Sequence, residues 1–335
     1  MGKYLNTCDK AVNWCLHYLN TDGSLNMPEP CFDSFYKFPA AFNVMGKHTE
    51  VAKLLNWIEM KTLKSNGDMT FDKQKVIFDW HKNFYLYTNS WITIGAQRAG
   101  FFNLANRAMQ YILKYQNPAT GAFRSKPIEQ ESDDLCDTTI TGNCGIACLF
   151  TGHLAQAFGA ADSLCNIAEQ QDNGPIYYYT VTPKGNLWKD IPQKNREYYC
   201  LDQRKPQQYY WYIGISAALL LHCYQISKQS KYLKSALYNL DFLSRCQNDI
   251  LKSFASGKYA YALALAYRIT GEEDFRRKAI SYCEWLMQVQ KDDGSWDNEQ
   301  NDLAWYLKWD LTSEMTYWIK EIVAILSSSQ KYIIE

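Results

Sequence analysis

Residues 107–123 read RAMQYILKYQNPATGAF, a helix face that runs into a Gln, a polar stretch, a Gly and then an aromatic residue. The chain repeats this arrangement. Beside Tyr111, Ile112, Gln116, Gly121 and Phe123 stands a second strong copy, Trp285, Leu286, Gln290, Gly294 and Trp296. Trp14, Cys15, Leu19, Gly23 and Leu25 keep the shape with Leu in place of Gln, and Trp57 and Ile58 lead to Gly67 with one extra residue. Two copies are weaker: Gln170, Gly174 and Ile176, and then Phe242, Leu243 and Gln247, with Leu251 where Gly is expected. From Gly to Gly, or its stand-in, the intervals are 44, 54, 53, 77 and 43 residues, each enough for two helices and two turns. The repeat predicts six helical hairpins.

The physics of the repeat is local. A helix that ends in Gln and is followed by a Gly free to adopt positive φ stops tightly. The Gln amide can bridge carbonyls left open at that stop to the start of the next helix, and the aromatic packs over the turn. Gln and Trp in this setting are staples, which makes the repeat a guide to architecture and only indirectly to chemistry.

Working outward, the segments between Gly turns divide into two kinds. KYAYALALAYRITG is nearly all apolar, whereas EDFRRKAISYCEWLMQVQ carries its charges on one face. The first kind needs burial on every side and belongs to an inner layer; the second belongs outside. YLYTNSWITIGAQRAG, TGNCGIACLFTGHLAQAFG and WYIGISAALLLHCYQ read as inner helices, FNLANRAMQYILKYQ and KYLKSALYNLDFLSRCQ as outer ones. The longest interval holds an insertion near residues 175–206, where IYYYTVT and a PKGN turn predict a β-hairpin.

Composition narrows the partners and the compartment. The 335 residues carry 35 basic and 35 acidic side chains and no net charge, so nucleic acid and anionic membranes are not expected as partners. No apolar run is long enough for a signal peptide or a membrane span, and Asn6 stands where a myristoylation signal needs Ser or Thr. The eleven cysteines lie in helical segments without a Cys-x-x-Cys pair, as in a reduced, cytoplasmic chain.

The repeats resemble the QW motifs of the terpenoid cyclase and protein prenyltransferase superfamily. The resemblance implies an all-α fold, a six-hairpin (α/α)6 toroid with a central cavity, spanning residues 1–335 as a single domain. The same toroid is similar to that of six-hairpin glycosidases, epimerases and polysaccharide lyases, so the fold leaves the chemistry open. In such a ring the inner helices run parallel and their N-termini, which favour anions, gather at one mouth. Candidate chemistry is therefore sought at 27–38, 69–87, 130–141, 200–212, 252–259 and 297–310.

The richest of these segments is Glu131-Ser-Asp133-Asp134-Leu-Cys-Asp137-Thr-Thr. Crowded carboxylates repel, so one can hold a proton near neutral pH and act as a general acid; Asp134 and Asp137 are the candidates, with helix capping as the alternative. Asp134-Leu-Cys136 is similar to the Asp-x-Cys zinc ligands of protein prenyltransferases, but His153 and His222 lie too far along their helices to join, and no metal is expected. The segment also departs from the DxDD acid of class II cyclases. Asp79 and His81 form a second acid–base pair at a helix start. Tyr36, Trp80, Tyr87, Tyr209, Trp211 and Lys258 are the candidate substrate contacts, through stacking or, for Lys258, an anionic group.

No Gly-x-Ser-x-Gly, P-loop or Rossmann fingerprint is present, so no nucleotide or redox cofactor is expected. The first expectation is a cofactor-free acid–base enzyme, an isomerase, cyclase or lyase, acting on a largely apolar and terpenoid-like small molecule. The alternatives are a glycan-processing enzyme using the same carboxylates, with Tyr209 to Tyr212 stacking the sugar, and a toroid that binds without catalysis.

Overall fold

The computed structural model describes residues 2–27, 32–71, 75, 80, 83–128, 134–194, 196–247, 249–297 and 304–329. Close contacts group the chain into two units, Met1–Lys114 with Leu286–Val323, and Tyr115–Trp285 with Ala324–Glu335.

The first unit holds α1 (Gly2–Leu16), α2 (Phe32–Phe35), α3 (Phe38–Val44), α4 (His48–Thr62), α5 (Tyr87–Arg98) and α6 (Phe102–Ile112). Every residue of α5 from Tyr87 to Ala96 is buried, the polar Thr88, Asn89, Ser90 and Thr93 included. Helix α6 instead buries one face, Leu104, Ala105, Ala108, Met109, Tyr111 and Ile112, in the i, i+4, i+7 rhythm of an amphipathic helix. The first inner segment is broken in two, and Pro39 sits in the first turn of α3, where its missing N–H is not needed.

The turn glycines explain the repeat. Gly67 has a φ of +93°, and a Cβ built there would overlap the Arg107 carbonyl of α6; Gly23 lies equally close to the Lys53 carbonyl of α4. Gly294 meets the Lys10 carbonyl of α1, so the sixth turn is seated on the first helix. Gln290 completes this contact by donating from Nε2 to the Gly294 and Thr7 carbonyls, both at 2.9 Å. The Trp296 amide donates to Thr312 Oγ1 at 3.0 Å, and its indole N–H to the Leu286 carbonyl at 2.8 Å.

The second unit holds α7 (Thr138–Phe150), α8 (Leu154–Glu169), α9 (Trp211–Ser227), α10 (Ser230–Ser244) and α11 (Gly257–Thr270). Two further helices, α12 (Glu273–Val289) and α13 (Ala304–Ser329), each contribute residues to both units. The turn at 116–123 repeats the bonding just described: Gln116 Nε2 donates to the Gly121 and Gln156 carbonyls at 2.9 Å, and the Phe123 amide donates to Thr141 Oγ1 at 3.0 Å. In these two copies the Gln therefore ties its outer helix to the next outer helix, not to the next inner one. The tie to the inner helix is made by the amide of the aromatic residue to a Thr inside it.

Three sequence expectations shift. Gln170 keeps its staple role, but its Nε2 bonds Gly185 O at 2.8 Å, and the bridge that closes the turn runs between Val181 and Leu187; Gly174 and Ile176 are not its turn. The inner helix read over 141–159 stops at Phe150 because Gly152, with φ +80°, turns the chain into α8, so His153 caps the next helix. The insertion is β-structured but pairs differently from a single hairpin. Its strand Ile176–Tyr178 (β2) pairs antiparallel with Cys200–Asp202 (β4), and Thr180–Val181 (β3) pairs with Cys136–Asp137 (β1).

Candidate active-site clusters

In the first unit the loop between α2 and α3 places Lys37 against α13, where Asp310 and Glu314 stand one turn apart on the same face. Lys37 Nζ lies 2.9 Å from Asp310 and pairs directly with Glu314. The other Glu314 oxygen accepts the indole N–H of Trp318 at 2.9 Å. The ammonium also lies 4.8, 5.8 and 5.9 Å from the ring centres of Tyr36, Tyr87 and Trp91. Tyr36 meets Tyr87 edge-on at 5.7 Å, and Trp80 meets Tyr87 at 5.0 Å. Three of the expected substrate contacts, Tyr36, Trp80 and Tyr87, thus converge on one cluster.

Its electrostatics follow from an ammonium held between two carboxylates among aromatic rings. Burial works against the Lys37 charge, but Asp310 and Glu314 outweigh it and hold the amine protonated above its ordinary range. Burial, and then Asp310, pushes the Tyr36 phenol well up; burial and then Glu314 do the same for Tyr87. The side chains of Lys37, Asp310 and Glu314 are 3%, 13% and 11% exposed, so the whole cluster is largely withdrawn from solvent. Asp33, Ser34, Thr88, Asn89, Ser90 and Thr93 are further buried polar groups of this unit.

A second network in the same unit fixes the approach to α5. Asp68, just after Gly67, accepts from Lys75 Nζ at 2.7 Å, Tyr85 OH at 2.6 Å and Asn89 Nδ2 at 3.0 Å. Burial opposes its charge, yet these donors together hold the carboxyl below its usual range. Asp79 and His81 lie outside the described residues.

In the second unit Asp137 ends β1 and caps α7. Its Oδ1 accepts the Thr139 and Ile140 amides at 2.7 and 2.9 Å, and its Oδ2 accepts the Ser125 hydroxyl. Burial raises it to about 6 against the pull of those donors. Asp134 is different: its side chain is 59% exposed and pairs with Arg124 at 2.5 Å. Cys136, between them, is pushed up to about 12 by burial and stays a thiol. Among the described residues no three His, Cys, Asp or Glu side chains are grouped as metal ligands.

Tyr209 and Trp211 stack at 4.6 Å with planes 23° apart, and Tyr198 continues the stack onto Tyr209 at 6.1 Å and 26°. Behind them Tyr212 lies face to face with Tyr179 at 3.9 Å. Lys258 is buried at the start of α11, where Gly214 of α9 packs onto its backbone.

Solved structures share this architecture along essentially the whole chain. A D-mannose isomerase superposes with a TM-score of 0.71 over 97% of each chain at 11% identity. A glycoside hydrolase family 76 α-mannanase from Bacteroides thetaiotaomicron gives 0.66 over 99% of this chain and 97% of its own, at 13% identity. A type II terpene cyclase from Scytonema, in complex with geranylgeranyl dihydroxybenzoate, gives 0.60 over 96% and 98%, again at 13%. The fold is an α/α toroid. No family model and no curated protein sequence matches the chain. At these identities the likeness is one of fold, and chemistry has to be argued from the side chains.

Sequence reasoning missed Lys37, Asp310 and Glu314, although each lies inside or beside a segment marked for search. The signal was present in WYLKWDLTSEM, where two carboxylates four residues apart face one side of a helix that is otherwise apolar there. Their cation, about 270 residues away, leaves no local trace.

Proposed function

We propose that the chain is a cofactor-free acid–base isomerase or epimerase acting on a sugar. The observation that carries this reading is the Lys37–Asp310–Glu314 cluster with its aromatic walls. A buried ion pair is weak support for stability, since apolar residues of equal volume often hold a fold as well. A buried ammonium held between two carboxylates and walled by aromatic rings is the kind of arrangement found where protons are moved.

The roles follow from the bonding. Glu314 accepts from both Lys37 and Trp318, and we assign the role of base to Asp310. Asp310 takes the proton from the carbon beside the sugar carbonyl, and the electron pair moves into an enediolate. Two ammonium hydrogens of Lys37 go to the carboxylates, and the third meets the oxygen on which negative charge develops. Returning the proton to the neighbouring carbon, while the hydroxyl proton passes from the second oxygen to the former carbonyl oxygen, gives the isomer; returning it to the opposite face of the same carbon gives the epimer. Because Lys37 sits between the two carboxylates, they are poorly placed to flank a glycosidic bond, which favours proton transfer over hydrolysis.

The number of ionised and hydrogen-bonding groups in this cluster also favours a polyhydroxylated substrate, which can bond to them, over a terpenoid one. The fold is compatible with either, and that support is by analogy only. The test is incubation of the protein with D-mannose and other aldoses in D2O, read by NMR for deuterium at the carbon next to the carbonyl and for a ketose or epimer. Asp310→Asn should lower the exchange rate by about 10²–10⁴-fold. Turnover of a prenyl substrate with no exchange into any sugar would overturn the reading.

A further inference from the structure

Isomerisation of a sugar leaves one proton in need of a carrier. An aldose becomes a ketose only if the proton of the neighbouring hydroxyl reaches the former carbonyl oxygen, whereas exchange or epimerisation at the carbon moves no proton between the oxygens. Direct passage is poorly aligned, because the two oxygens sit on adjacent carbons of a planar enediolate and an O–H···O line between them is sharply bent. The carrier has to reach both oxygens, give one proton and take another.

Lys37 meets these requirements. Its ammonium lies 2.9 Å from Asp310, pairs with Glu314 and stands over the rings of Tyr36, Tyr87 and Trp91. Two of its hydrogens go to the carboxylates, and the third has no acceptor among the described residues. The neighbouring groups suit the task less well. Asp310 holds the carbon proton at this stage, and Glu314 is engaged by Lys37 and by the Trp318 indole. Burial first, and then the carboxylates, push the Tyr36 and Tyr87 phenols well up, which makes them reluctant donors. Timing favours the amine as well. Burial works against its charge, and Asp310, followed by Glu314, outweighs that effect. Arrival of the carbon proton on Asp310 cancels the larger of these two supports, so the ammonium becomes a readier donor just as the enediolate forms.

We propose that Lys37 carries the proton from one substrate oxygen to the other, and so decides whether the enediolate leaves as a ketose or returns as the aldose and its epimer. The inference rests on the isomerase reading. The step balances within the substrate and this cluster. Lys37 gives a proton to the former carbonyl oxygen and becomes a neutral amine, which then takes the proton of the second hydroxyl. The electron pair of that O–H bond closes the new carbonyl while the carbon–carbon double bond takes the proton back from Asp310 at the neighbouring carbon. Lys37 and Asp310 end as they began, and no oxidant or co-reactant enters.

Both outcomes are read from one NMR sample in D2O, as deuterium at the carbon beside the carbonyl of recovered aldose and as ketose formed. Lys37→Arg keeps a cation between the carboxylates, but a guanidinium does not release its proton. Exchange should persist in this variant, while the ketose formed per exchanged proton falls at least about 100-fold. The Lys37 side chain is 3% exposed, so the longer Arg can disturb packing. The second variant is therefore Lys37→Ala supplied with ethylammonium or with guanidinium: the first should restore both exchange and ketose, the second exchange alone. An unchanged ratio in Lys37→Arg, or no difference between the two cations in Lys37→Ala, would overturn the inference and leave the isomerase reading in place. Neither exchange nor ketose from any aldose with the unsubstituted protein would overturn that reading and the inference with it.

Discussion

Lys37 is the side chain whose removal has the clearest physical consequence. Substituting Met keeps the apolar stem and removes the charge, leaving Asp310 and Glu314 to face each other among aromatic rings. Uncompensated buried charge costs about 3–5 kcal/mol, so Lys37→Met is expected to lower stability by that amount in urea unfolding. A second substitution, Asp310→Asn in the same background, should recover part of the loss. Asp134 is the opposite case. It is exposed and pairs with Arg124, so Asp134→Asn should cost less than about 1 kcal/mol and, with Asp310 as the base, leave turnover unchanged. A large drop in melting temperature with activity retained would make it a structural residue.

Asp137 gives a pH signature. Its carboxyl titrates at about 6 in the fold and near its ordinary value of 3.8 when unfolded, so between those pH values the native state holds the extra proton. Stability contributed by this group is therefore complete below pH 4 and is lost as pH rises through 6, by about 1.4 kcal/mol per unit. Asp137→Asn should remove that slope and keep the helix cap, since Asn caps as well as Asp. The difference between the two unfolding profiles isolates this group from every other carboxylate. Capping was legible in the sequence from Asp followed by two Thr, but the Ser125 hydroxyl that shares the site comes from a different turn, and no spacing announces it.

At the scale of elements, the turns rather than the helices carry the specificity. Gly121 and Gly152 have nearly the same backbone, with φ of +76° and +80°, but only Gly121 is pressed against another helix, at the Gly159 carbonyl; nothing lies within 4 Å of a Cβ at Gly152. Gly152→Ala should therefore cost only the left-handed conformation, about 1–2 kcal/mol. Gly121→Ala adds a backbone clash and should cost more than about 3 kcal/mol, measured side by side in urea. The Gly and Gln of the strong copies could be read from sequence because their bonding is local. The fourth copy could not, because an inserted strand separates Gln170 from Gly185 by fifteen residues. Helix identity survived in the burial pattern, whereas the boundary at Gly152 was lost inside a continuous small and apolar run.

For the molecule as a whole, the division into two units falls inside α12, after Trp285, and again inside α13, after Val323. A helix cannot melt over half its length without exposing the other half's last turns, so we expect residues 1–335 to unfold in one cooperative transition, seen as agreement between calorimetric and van't Hoff enthalpies. Two resolved transitions would count against the single domain expected from the repeats. The same indivisibility gives the cysteines a use. All ten described thiols are buried, and burial pushes Cys8, Cys136, Cys148, Cys223 and Cys246 to about 12, which makes them poor nucleophiles at neutral pH. At these ten positions an alkylating reagent supplied for a few seconds would mark only molecules open at that moment, and mark them at many positions together. The chain thus carries a built-in recorder of its own unfolding, readable by mass in a mixture and without any attached dye.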